Sequence, residues 1–90
     1  MTRDVYLEMT FRHGKPLAGY LYLPRREGDW AARSRKVDEG LVVDFAEDGR
    51  PIGIEIVSPT LVSLETVNQV LRDLKQAAIT AEELAPLHAV

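Results

Sequence analysis

Arg25, Arg26, Arg33, Arg35 and Lys36 surround Trp30 within residues 25–36, the densest set of groups in the chain that could bind something. Guanidinium groups pair with phosphates and carboxylates, and an indole stacks on a base or fills a partner's pocket, so these six residues form a candidate partner-binding patch. Glu27 and Asp29 interrupt the patch, and a sequence pI of about 5.3 is unlike the high value of a nucleic-acid binder. Three readings stand: a solvated connection, a surface for an acidic protein or a second copy, and a weak nucleic-acid or regulatory site.

Asp44-x-Ala46-x-Asp48-Gly49, with Glu55 beyond it, approaches the spacing of a calcium loop, whose carboxylates suit a hard cation. The third ligand position is missing, strand patterns flank the segment, and Asp48-Gly49 is a hairpin turn signal, so we read a turn and expect no metal. His13 and His88 have no partner at metal-ligand spacing, and no serine sits in a nucleophile elbow. With no cysteine there is no thiolate and no disulfide framework. The glycines form neither a phosphate loop nor a dinucleotide fingerprint, and Gly53, inside a strand pattern, marks a bulge or a close backbone approach. No cofactor is expected, and no catalytic set is assigned.

The elements that would position these groups follow from apolar periodicity. Val5, Leu7, Met9 and Phe11 alternate with polar neighbours, predicting a strand over about 4–11, and a second follows over 18–23 with Leu21 and Leu23 inward. Tyr20 and Tyr22 then share the opposite face with Val42 and Val57. Residues 24–36 lack periodicity and read as a long mobile loop. Leu41, Val43 and Phe45 alternate before Asp48-Gly49, as do Ile52, Ile54 and Ile56 after it, giving a hairpin of strands over about 40–46 and 51–57. Ser63 caps a helix over about 63–78, with Leu64, Val67, Val70, Leu71, Leu74, Ala77 and Ala78 at helical spacing. Thr80-Ala81-Glu82-Glu83 is a capping box that opens a short helix over about 81–88. Strands first and helices after predict an α+β domain spanning 1–90. Its expected form is a four-stranded antiparallel meander with a C-terminal helix packed on one face and a short helical tail.

Ninety residues bury roughly 60 to 65% of their unfolded surface, a modest core that favours self-association. Residues 1–36 carry eight Lys/Arg against four Asp/Glu, and residues 37–90 carry three against ten, so the halves have opposite charge. Such asymmetry steers association between copies or with a charged partner. No apolar run approaches the ~20 residues that cross a bilayer and no signal-peptide core is present, which predicts a cytoplasmic protein.

The run from Asp38 to Ile56 resembles a small bacterial family, domain of unknown function family 2283, with the pattern D-E-G-x-x-x-D-x-D-x-D-G-x-x-x-G-I-E-I. Asp38, Glu39, Gly40, Asp44, Asp48, Gly49, Gly53, Ile54, Glu55 and Ile56 fall on it, and Ala18, Tyr20, Leu21 and Leu23 resemble an earlier A-L-Y-I-x-L strand. Ala46 stands where an Asp is common, and Arg12-His13-Gly14-Lys15-Pro16 replaces an acidic first turn. The family has no established activity; its neighbourhood with small toxin-like proteins implies an antitoxin or partner-binding role. Together these features predict a non-catalytic protein-protein interaction module. It is expected to form a homodimer, with a small toxin-like protein as a further partner, and the alternative is nucleic-acid or regulatory binding through the 25–36 loop.

Overall fold

In the computed structural model, which describes residues 5–88, the two alternating N-terminal stretches form β1 (Tyr6–Arg12) and β2 (Lys15–Tyr22). They turn on His13 and Gly14, with φ of 53° and 75°, the positive values that a tight two-residue hairpin requires at both positions. Three more strands follow: β3 (Arg33–Asp38), β4 (Leu41–Phe45) and β5 (Pro51–Ile56). The Asp48-Gly49 signal is borne out. Gly49 takes φ 94°, its N–H donates to the Ala46 carbonyl at 2.9 Å, and the Ala46 N–H donates to the Arg50 carbonyl at 2.8 Å.

The sheet has five strands, not four. β3 falls at the end of the segment expected to be a loop to residue 36, so the connection spans 23–32 only. Arg33-Ser34-Arg35-Lys36 carries no apolar alternation because an edge strand open on both faces has no reason to, and of β3 only Val37 is partly buried. The order is β1-β2-β5-β4-β3, all antiparallel, which corrects the expected meander. β2 pairs with β5, Gly19 opposite Ile56 through Tyr22 opposite Gly53, because the connection carries the chain past β5 and β4 to the far edge. Backbone bonds pin it at both ends: Leu23 N–H to the Ile52 carbonyl, 3.2 Å, and Ala32 N–H to the Phe45 carbonyl, 2.9 Å.

Helix α1 (Leu64–Asp73) begins as expected, with the Ser63 hydroxyl accepting the Thr66 N–H at 3.1 Å. It stops short of Ala78. Lys75 adopts φ 59°, its N–H bonds the Arg72 carbonyl at 3.0 Å, and the Gln76 N–H bonds the Leu71 carbonyl at 2.8 Å. That pair of bonds is a Schellman closure made without glycine, so sequence periodicity runs past an end fixed by backbone geometry. The following segment is fastened to α1 by Asn68, which accepts the Ile79 N–H at 2.9 Å and donates to the Ile79 carbonyl at 3.1 Å. The capping box on Thr80 and Glu83 opens α2 (Ala81–Leu84), which tightens into a 3₁₀ turn, Ala85–His88, instead of continuing as one helix.

One face of the sheet and the helices enclose the core. Leu21, Leu23, Leu41, Val43, Ile54 and Ile56 meet Val62, Val67, Val70, Leu71, Ile79, Leu84 and Leu87, all nearly inaccessible. Leu64 and Leu74 pack on this cluster from its margin. Among the described residues no polar or charged side chain is buried, so the core is held by apolar burial, worth about 25 cal/mol per Å².

Candidate interaction surface

The face that the helices leave open is set by strand register. One row runs Tyr6, Tyr22, Gly53, Asp44, Ser34 across the five strands, and the next runs Glu8, Tyr20, Glu55, Val42, Lys36. Residues directly opposite in an antiparallel pair share a face, so both rows lie together. Tyr6 stacks on Tyr22 with centroids 4.5 Å apart and planes 14° apart, and Tyr20 meets Tyr22 edge-on at 4.7 Å.

Arg25 folds back over this aromatic strip. Its guanidinium lies 5.0 Å from the Tyr22 ring centre and 5.8 Å from that of Tyr20, a cation–π arrangement. Arg25 Nε donates to the Ile52 carbonyl at 3.1 Å and Nη2 to the Tyr20 hydroxyl oxygen at 3.0 Å. Tyr20 in turn donates to Asp44 Oδ2 at 2.8 Å, while Ser34 donates to Asp44 Oδ1 at 2.6 Å. Burial, then the bond and charge of Asp44, push the Tyr20 phenol well above its ordinary pKa. Tyr22 donates to Glu8 Oε1 at 3.2 Å, and that bond raises its pKa first of all. Both hydroxyls are therefore protonated donors across the neutral range.

The six residues of the sequence-derived patch do not assemble into one surface. Arg25 belongs to the tyrosine face, and Arg26 contributes its backbone N–H to Asp29 Oδ2 at 2.8 Å. Arg33 and Arg35 sit on edge strand β3, the latter 5.2 Å from the Phe45 ring centre, and Lys36 pairs with Glu39 at 3.5 Å. Trp30, 57% exposed, borders an open cleft of about 310 Å³ with Gly28, Asp29, Ala46, Glu47, Asp48 and Arg50.

The floor of that cleft is an ion-pair cluster that sequence reasoning missed. Arg50 grips Asp29 with both terminal nitrogens, at 2.7 and 3.1 Å, and Asp48 with Nε at 2.7 Å. These bonds hold both carboxyls below the usual carboxylate range and raise the guanidinium. The acids weighed as a calcium loop are thus divided: Asp44 serves Tyr20 and Ser34, Asp48 serves Arg50, and Glu55 lies exposed on the open face. Among the described residues no three His, Asp or Glu side chains are grouped to hold a metal ion. His13 occupies the first turn, and the side chain of His88 lies outside what the structure describes.

Residues 18–58 match the family model of a protein of unknown function, DUF2283. That stretch resembles the DUF2283 family. The match runs from within β2 to the end of β5 and leaves β1 and the helices outside it. No curated protein and no solved structure matches the chain.

The geometry gives the matched residues a physical content. Tyr20, Asp44 and Gly53, far apart in sequence, form one unit, since a Cβ built on Gly53 would fall inside the Tyr20 phenol. Asp38-Glu39-Gly40 is the β3–β4 turn: Asp38 Oδ1 accepts the Glu39 N–H at 2.7 Å, and the buried Gly40 takes φ 75° with its carbonyl accepting the Val57 N–H at 2.9 Å. Leu21, Leu23, Ile54 and Ile56 are core. Ala46 is buried beside the Asp48-Gly49 turn. The period-two spacing of Tyr20 and Tyr22 was a sufficient signal for their shared face. Their partners required the strand order.

Proposed function

We propose that the chain is a non-catalytic protein-protein interaction module that self-associates through the open face of its sheet. The carrying observation is that this face bears an ordered yet accessible aromatic strip: Tyr6 is 58% exposed while its ring stays stacked on Tyr22. Aromatic rings already fixed by neighbours and by Arg25 lose little freedom on contact, which suits an interface anchor. Val57, 45% exposed, adds apolar area beside Glu55. A two-fold pairing presents this one patch to itself and supplements a small core.

Sedimentation velocity at high micromolar concentration tests the reading. The expected species has about twice the 10.1 kDa chain mass, and a Tyr6→Ser/Val57→Ser variant is expected to be monomeric with an unchanged fold. A monomer for the unaltered chain overturns it. Within this reading the antitoxin-like role implied by the family resemblance is one form a further partner can take, tested by co-purification of a stoichiometric small protein from the native host. Nucleic-acid binding through residues 25–36 draws less support. The cations are dispersed, and Glu8, Asp44 and Glu55 place negative charge among the tyrosines.

A further inference from the structure

β3 ends the sheet, so among the described residues one side of its backbone has no strand partner. An unpaired edge is a template for another strand, and proteins commonly protect it with charge. Here the charge has one sign over most of the strand: Arg33, Arg35 and Lys36 are all exposed, with Asp38 only at its end. Two copies of this edge would set cations against cations, so the edge repels itself while attracting an acidic strand.

Beside the edge, β3 and α1 border a groove of about 390 Å³, with Val37, Val70 and Leu74 as its apolar part and Arg35, Lys36, Asp38, Gln69 and Asp73 on its rims. A strand added to β3 sends alternate side chains toward α1, where this groove receives them, and the others toward the open face beside Ser34 and Lys36. We infer that the β3 edge binds an extended acidic segment of a partner protein as a sixth strand, with aliphatic residues toward α1, carboxylates on the open face beside Lys36, and Arg33 and Arg35, on the α1 side, adding to the positive field that draws the segment in. Backbone pairing supplies affinity, the groove selects alternate apolar residues, and the cations select sign. The tyrosines stand on β1 and β2, at the other side of the sheet from the β3 edge, so this contact and self-association through the tyrosine strip are tested separately.

The test uses the full chain and an acetylated, amidated peptide of seven alternating Glu and Val residues, followed by amide shifts and hydrogen exchange. Perturbation and added protection are expected along Arg33–Asp38 and the facing side of α1. The combined Arg33→Ser, Arg35→Ser and Lys36→Ser variant is expected to weaken binding at least about tenfold with an unchanged unfolding midpoint. Two further peptides, N-methylated on the odd or on the even residues, separate strand pairing from charge attraction. Exactly one edge of the added strand faces β3, so one of the two is expected to lose binding and the other to keep it. Equal binding by both, perturbation centred on another element, or no binding at about 1 mM peptide overturns the inference.

Discussion

Gly53 lacks a side chain where the Tyr20 phenol crosses to Asp44, and that vacancy decides how the open face is built. Gly53→Ala is expected to destabilise the fold by about 1–3 kcal/mol through overpacking. In a Tyr20→Ala background the same change is expected to cost much less, and equal costs by urea unfolding would mean that Tyr20 does not occupy the space. The raised Tyr20 pKa gives a second test. Its folded value lies above the unfolded one, so the stability linked to it is complete below about pH 10, where free tyrosine ionises, and is lost as pH rises from there. Ultraviolet titration is expected to show Tyr20 as the tyrosine most resistant to ionisation beyond that point, and Tyr20→Phe is expected to remove the most resistant step. At this scale the sequence marked Gly53 as a bulge or a close approach, because a glycine inside a strand pattern has few other uses. It could not reveal Tyr20 as what approaches, because that depends on β2 lying beside β5, more than thirty residues away in the chain.

Among the elements, the hairpin around Asp48-Gly49 and the start of α1 were legible because their signals are local: alternation, a turn dipeptide, a capping serine. Ile54, fully buried at the centre of the hairpin, is expected to cost about 2–5 kcal/mol on truncation to Ala. Phe45→Ala is expected to cost less, since its ring is only partly buried beneath Arg35, and the reverse ranking in denaturant unfolding would misplace the core. What escaped was edge and end. β3 gives no apolar period because both its faces are exposed, and the end of α1 is written in the backbone of Lys75, where a glycine would have announced it. A left-handed conformation is strained for lysine and free for glycine, so Lys75→Gly is expected to stabilise the protein by about 0.5–1 kcal/mol. A loss of stability in the thermal midpoint would show that the Lys75 side chain contributes more than its strain removes.

Across the sheet, the helices close one side and leave the other as a tyrosine strip, with β1 and β3 as its edge strands among the described residues. Among the described residues no helix is long and apolar enough to cross a membrane. The opposite charges of the two halves meet at the β3–β4 turn, where Lys36 pairs with Glu39, whereas Arg50 and Asp29 pair the minority charge of each half. The oligomeric state is the least legible property in the sequence, since period two reveals that Tyr20 and Tyr22 share a face but says nothing of what covers it. Isotope-filtered NOE spectroscopy on a mixture of labelled and unlabelled chains tests the central claim most directly. Intermolecular contacts to the rings of Tyr6 and Tyr22 and to the methyls of Val57 are the predicted result; the absence of intermolecular contacts at high micromolar concentration, or their confinement to the helical face, would contradict it.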